Sequence, residues 1–216
     1  MSLLGSLDNA ARLSILVTGL ALAAWGCGDE CDADDCEPCV GETCTAACVS
    51  PDDEDDAEYC PYSCSDGADC SLTCRAVSCH LTCDASTCEC GGCESISCTN
   101  GSDCHAEYSG NIACDASTCE STNSYSAVCT NGATCTLACD SSNDVGCGTS
   151  CDATSACHVE CHGRCVLCCN GSADCAMDCA FEPTTCSDGR IACGVACEDA
   201  VAVGTGPFCP PLPNGG

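Results

Sequence analysis

A cassette of two cysteines four residues apart, with a small or apolar residue midway, limits this chain more than any other feature. It reads CSLTC from Cys70 to Cys74, CHLTC from Cys79 to Cys83 and CTLAC from Cys135 to Cys139. It returns as CHVEC from Cys157 to Cys161, CAMDC from Cys175 to Cys179 and CGVAC from Cys193 to Cys197. In an extended chain residues i, i+2 and i+4 share one face. CSLTC then turns Cys70, Leu72 and Cys74 to one side and Ser71 and Thr73 to the other. His80 and Thr82, and His158 and Glu160, split from their cysteines in the same way. This is the pattern of a half-buried strand. A helix would also bring Cys70 and Cys74 together, but the flanks are rich in Ser, Thr, Gly and Asn, which form helices poorly.

Between cassettes lie glycine turns: CSDGADC (64–70), CTNGSDC (98–104), CTNGATC (129–135) and CNGSADC (169–175). Asn-Gly and Asp-Gly accept positive φ and mark tight turns. A further phrase, CDASTC, occurs identically at 83–88 and 114–119, with a relative, CDATSAC, at 151–157. Turn plus cassette advances the chain by ten residues from Cys64 to Cys74, from Cys129 to Cys139 and from Cys169 to Cys179. An imperfect internal repeat of this kind is the signature of stacked units.

Two cysteines four apart in one strand are separated by about 13 Å and cannot bond to each other. Neighbours on adjacent strands are about 5 Å apart, within disulfide range. The expected fold is therefore all-β: a narrow, short-coil parallel β-solenoid in which each cassette cysteine bonds to one in the next coil. That ladder would use Cys70, Cys74, Cys79, Cys83, Cys135, Cys139, Cys157, Cys161, Cys175, Cys179, Cys193 and Cys197. The alternative is a string of irregular disulfide-rich units with little regular secondary structure, because spacing alone does not determine connectivity. The dense cysteine at short period resembles the disulfide-laced β-solenoids of insect antifreeze proteins. The outward Thr-x-Thr ranks by which that family binds ice are absent: the outward pairs include Ser71/Thr73, His80/Thr82 and Ala176/Asp178.

Composition supports a cystine interior. Of 216 residues, 35 are cysteine, and beyond residue 26 Leu, Ile, Val and Phe make up only about a tenth. With a net charge of -29, so little hydrocarbon would ordinarily leave a chain disordered. The seven aromatic residues suit a lumen too thin for rings. There is no lysine, and the only basic side chains besides histidine are Arg12, Arg75, Arg164 and Arg190, so nucleic-acid binding is excluded as a function class.

Leu13 to Trp25 is a 13-residue apolar run following Arg12. It is too short to span a bilayer and suits the h-region of a signal peptide. Small residues at Ala24 and Gly26 place cleavage before Cys27. Here the segment resembles the lipobox of bacterial lipoproteins, in which the cysteine after a small residue is lipidated and becomes the new N-terminus. Gly26-Cys27 matches, while Ala24 stands where Leu is usual and Trp25 is atypical. The resemblance covers about 27 residues and implies lipidation of Cys27 and a membrane partner through the anchor. Plain secretion after the same cut is the alternative. Lipidating Cys27 leaves 34 of the 35 cysteines, an even number.

The chain accordingly divides into a signal peptide (1–26), a cysteine-containing acidic tether (27–59) with the run PDDEDDAE, a cysteine-rich repeat domain (60–200) and a Pro/Gly-rich tail (201–216). An export signal favours disulfides over thiolate metal sites. Cys-x-Cys and Cys-Cys pairs, frequent in metallothioneins, occur once each, at Cys88/Cys90 and Cys168-Cys169. The weak metal candidates are His158, Glu160 and His162, which alternate along a single stretch. His80 and His105 read as isolated surface residues. Enzyme and cofactor motifs are missing; Cys36-Glu37-Pro38-Cys39 is a formal redox spacing in an acidic stretch that blunts thiol reactivity. The chain thus reads as an exported, non-enzymatic, disulfide-stapled protein held at the bacterial cell surface or in the periplasm, with metal sequestration as the alternative. No motif names a cofactor or a protein or carbohydrate partner.

Overall fold

The computed structural model describes residues 30–31, 38–49, 59–75, 78–140, 146–172 and 174–199. Every regular element among them is a β-strand. The strands begin with β1 (Glu30–Cys31), β2 (Cys39–Val40), β3 (Thr43–Val49), β4 (Tyr59–Ser65), β5 (Asp69–Arg75) and β6 (Ser78–Asp84). Then come β7 (Thr87–Gly91), β8 (Ser95–Thr99), β9 (Asp103–Glu107), β10 (Asn111–Asp115), β11 (Thr118–Thr122) and β12 (Ser126–Thr130). The last are β13 (Thr134–Cys139), β14 (Cys147–Cys151), β15 (Ala156–Cys161), β16 (Cys165–Cys169), β17 (Cys175–Cys179), β18 (Thr184–Thr185) and β19 (Ile191–Cys193).

These strands wind into a parallel β-solenoid with two strands per coil. The odd strands from β1 to β17 form one sheet, A, and the even strands form the other, B. Each strand pairs in parallel with the strand two further on in the chain. At the C-terminal end β19 instead runs antiparallel to both β16 and β18 and closes sheet B. Register keeps like above like: Cys70, Cys88, Cys104, Cys119, Cys135, Cys157 and Cys175 form one continuous rank in sheet A. Cys64, Cys83, Cys98, Cys114, Cys129, Cys151 and Cys169 form its counterpart in sheet B.

Five cassettes are strands as the alternation requires. Leu72, Leu81, Leu137, Val159 and Met177 point into the lumen and are buried between their flanking cysteines. CGVAC is not a strand: Cys193 ends β19, and Gly194, at φ 66°, turns the chain away. A Cβ at Gly194 would lie 2.4 Å from the Gly163 carbonyl oxygen, so the turn needs glycine. The ten-residue step is also only half a coil. Cys70–Cys74 and Cys79–Cys83 lie in opposite sheets, and a full turn in the middle of the rod takes fifteen or sixteen residues, as from Cys104 to Cys119 and Cys119 to Cys135.

The solenoid extends N-terminally of residue 60, because β3 pairs with β5 along its whole length and β2 pairs with β4. The signal segment, Cys27, the acidic run and the tail lie outside the described residues. The N-terminal coils are built from seven-residue strands, β3 to β6, against five-residue strands from β7 to β12. Their wider section admits one ring: Tyr62 is buried in β4 beside Leu81, where the sequence suggested no room for aromatics.

Coils approach each other closely at the turns after the sheet A strands. A Cβ on Gly110 would lie 2.3 Å from the Glu94 carbonyl oxygen of the coil below. At Gly132, by contrast, a Cβ meets nothing within 4 Å, and only its φ of +82° resists substitution. Gly132→Ala is expected to cost about 1–2 kcal/mol from left-handed strain. Gly110→Ala must separate two coils of backbone and should cost more, upwards of about 2 kcal/mol. Denaturant midpoints of the two variants check this, and equal losses would refute the close packing of coils.

Candidate functional site

The interior is a pair of sulfur columns. At the turn from sheet B to sheet A the last cysteine of one strand bonds to the first of the next: Cys39–Cys44, Cys64–Cys70, Cys83–Cys88 and Cys98–Cys104. Cys114–Cys119, Cys129–Cys135, Cys151–Cys157 and Cys169–Cys175 continue the series. Each glycine turn and each CDASTC phrase is thus a closed disulfide loop of its own. At the opposite turn the second column holds Cys48–Cys60, Cys74–Cys79, Cys90–Cys93 and Cys161–Cys165. Cys186–Cys197 pins the C-terminal segment beyond β17.

The expected ladder between coils is therefore corrected. Cys70, Cys74, Cys79, Cys83, Cys135, Cys157, Cys161, Cys175 and Cys197 are all disulfide-bonded, but across the lumen or within a turn and not up the sheet. Cys139, Cys179 and Cys193 carry thiols, as does Cys147. Distance alone does not decide a disulfide. Neighbours in a parallel sheet point the same way, which holds their Cβ atoms a full strand spacing apart, whereas a disulfide needs them to converge. Across a turn the two sheets face each other, and the bonded Cα atoms lie between 6.0 Å (Cys169–Cys175) and 6.5 Å (Cys98–Cys104) apart. Cys39 bonds to Cys44, so it is not the partner of Cys36.

Stacking brings sulfurs of successive rungs together. Cys64, Cys70 and Cys88, and likewise Cys98, Cys104 and Cys119, have their Sγ atoms within 4.8 Å of one another. Each such triplet contains a complete disulfide, and oxidised sulfur is no thiolate ligand. The thiols are neighbours in two pairs, Cys139 with Cys147 and Cys179 with Cys193. The neighbouring Cys147 thiol, then burial, pushes Cys139 up, while the Cys139 thiol pulls Cys147 down against its burial. Partial burial, then the Cys193 thiol beside it, pushes Cys179 up to about 12.

The turns carry a second, polar ladder. Asp84 accepts hydrogen bonds from Thr99 Oγ1 (3.1 Å) and Asn100 Nδ2 of the next coil, and Asp115 accepts the same pair from Thr130 and Asn131. This explains why CDAST and CTNG phrases alternate along the chain. Asp152 caps the series, accepting from Asn131 N (2.8 Å), Thr154 N and Oγ1 (2.9 and 2.8 Å) and Ser155 N and Oγ (2.9 and 2.8 Å). Burial raises the Asp152 carboxyl, but these donors outweigh it and hold it well below the usual carboxylate range.

The outer faces differ. Sheet A presents Asp69, Glu89, Asp103, Glu107, Glu120 and Glu160, whereas the facing positions on sheet B are largely Ser, Asn, Ala and Thr. His105 stands in register between Glu89 and Glu120, with Nδ1 3.3 Å from Glu120 Oε2 and Nε2 3.7 Å from Asp103 Oδ1. It is not isolated, nor is His80, which meets Ser95 Oγ and Glu94. His158, Glu160 and His162 do not act as a trio: His158 faces Asp178 of β17 at 3.4 Å, while His162, beyond the end of β15, turns to Glu160 at 3.2 Å.

The fold and its cystine interior define a disulfide-laced parallel β-solenoid. Comparison with protein-family models, curated proteins and solved structures finds no match to this chain.

Because the interior is sulfur, excess dithiothreitol should abolish the far-UV β-sheet signal at neutral pH without denaturant. Retention of the signal would mean that the few buried aliphatics suffice. Asp152 should contribute stability that is fully present above the unfolded carboxylate value of about 4 and is lost as pH falls through its lower folded value. Asp152→Asn is expected to cost about 1 kcal/mol at pH 7 and to flatten the acid side of the stability profile. An unchanged profile would remove the carboxylate from that role.

Proposed function

We propose that this protein is an exported, non-enzymatic surface scaffold of a bacterial cell, anchored through lipid on Cys27 and presenting a stiff rod with one acidic face. The observation that carries this is the interior itself: an unbroken cystine column runs from Cys39 to Cys175 where hydrocarbon would otherwise stand. Such an interior requires an oxidising compartment to form and to persist. An apolar run ending in Gly26-Cys27 supplies both a route to that compartment and a lipidation point. Acyl chains on Cys27 and its amine would give stable anchoring where a single chain would not.

Rigidity follows from the columns. Closing a loop of five or six residues removes about 2 kcal/mol of unfolded-chain entropy in the chain-entropy picture, less per bond when bonds are stacked. A scaffold of this kind resists opening because the two strands joined at a bonded turn cannot separate without breaking a covalent bond. Its sheet A face would attract cations and repel other acidic surfaces, and no nucleic acid is a plausible partner for it.

The test is phase partitioning with the intact mass of the mature protein from bacterial membranes. The wild type should enter the detergent phase, carry a diacylglycerol-type mass on Cys27 and begin at that residue. Cys27→Ser should remain in the aqueous phase. A wild type that is aqueous and begins at an unmodified Cys27 would replace anchoring by plain secretion. Zinc or copper released on acidification from a protein rich in alkylatable thiols would replace the scaffold by metal sequestration.

A further inference from the structure

The second sulfur column is interrupted, and the interruptions follow a rule. Facing positions across that turn hold two cysteines or none. Cys48–Cys60, Cys74–Cys79, Cys90–Cys93 and Cys161–Cys165 are bonded. In the coil of β11 and β12 the facing residues are Ser121 and Ser124, whose hydroxyls hydrogen-bond to each other. Cys139 and Cys147 of the next coil approach this turn, with their Sγ atoms 3.9 and 3.3 Å from the Ser124 carbonyl oxygen.

Register then ties the four thiols to a known bond. Cys139 is the in-register partner of Cys161 in sheet A, and Cys147 is that of Cys165 in sheet B. On the other side Cys179 is the partner of Cys161, and Cys193 is that of Cys165. Both thiol pairs therefore occupy the site of Cys161–Cys165 one rung below and one rung above. In each pair the two thiols are neighbours across the same turn.

We propose that Cys139 with Cys147, and Cys179 with Cys193, are two further disulfide-forming pairs, oxidised by a small-molecule or protein disulfide. This rests on the disulfide-stapled reading above and assigns two covalent sites within it. For the outer pair, Cys179 attacks the oxidant as thiolate before the C-terminal segment closes over it, forming a mixed disulfide and releasing one oxidant thiolate. The Cys193 sulfur then attacks Cys179 Sγ and displaces the second. The two protein thiols lose two electrons, the oxidant disulfide gains them, and the two thiol protons pass to the leaving thiolates. Cys139 and Cys147 are both buried, so their bond forms while the coil is still open during folding. The outer bond would latch β19, and with it the Cys186–Cys197 segment, to the last strand of sheet A.

The test uses the full chain made in an oxidising compartment. It is unfolded in guanidinium chloride without reductant, so that burial hides no thiol, alkylated with N-ethylmaleimide and digested with pepsin at low pH to suppress exchange. Linked peptides Cys139–Cys147 and Cys179–Cys193, alongside Cys161–Cys165, are the expected result. Cys193→Ala should then add one maleimide, at Cys179, and Cys147→Ala one at Cys139. Maleimide on all four residues of the wild type with Cys161–Cys165 still linked would overturn the inference and leave the scaffold standing. So would a linkage of any of the four to another cysteine. Maleimide at Cys161 and Cys165 and throughout both columns would overturn the scaffold reading as well.

Discussion

The covalent bond across each turn from sheet B to sheet A is the constraint on which the remainder of the solenoid depends. A coil of fifteen or sixteen residues encloses too little volume for a hydrocarbon core. Two sheets this close must still be held at a fixed separation and must bury their inward faces. A disulfide does both, since its sulfurs are apolar and its length sets the gap between the sheets. Once the turns from sheet B to sheet A are clamped, successive strands stack in parallel and in register, and the ranks of cysteine in sheets A and B follow. The single aliphatic or methionine side chain between two cysteines then fills what the sulfurs leave, as Leu72, Leu81, Leu137, Val159 and Met177 do.

Polar chemistry is confined to the turns and the outer faces, where it solves a problem that stacking creates. A parallel in-register array places like residues one strand spacing apart, so acidic ranks repel. On sheet A, His105 separates Glu89 from Glu120 and reaches toward the latter. At the turns, Asp84 and Asp115 do not stack on other acids; each is answered by a Thr and an Asn of the next coil. The alternation of two turn phrases is therefore an electrostatic arrangement as well as a geometric one. Asp152, with five donors of its own, extends it where the loop between β14 and β15 is longer.

These features bear directly on what such a molecule does. The outer surface is charged on sheet A and nearly neutral on sheet B. A lipid anchor at Cys27 would hold that surface beside a membrane. The paired thiols stand apart from this, because they lie inside the second column, where cysteine otherwise occurs as cystine.

Much of the fold was legible in the residues. Cys-x-apolar-x-Cys has period two, so the strands, their inward faces and a parallel stack followed from local chemistry, as did the turns at Asp66-Gly67, Asn100-Gly101 and Asn131-Gly132 with their positive φ. The disulfide pairing was not legible from distance alone, although a signal was present: every turn phrase begins and ends in cysteine, and the two kinds alternate. Whether Cys70 bonds up the sheet to Cys88 or across the turn to Cys64 depends on the direction of Cβ vectors, which exist only once two sheets face each other. The same holds for His105 beside Glu120 and for His158 facing Asp178, which lie far apart in sequence until the coils stack. The sequence alone determined a cystine-cored β-fold, because alternation and turn residues act locally. Only the tertiary structure decided which sulfurs meet, because that is set by the register between coils.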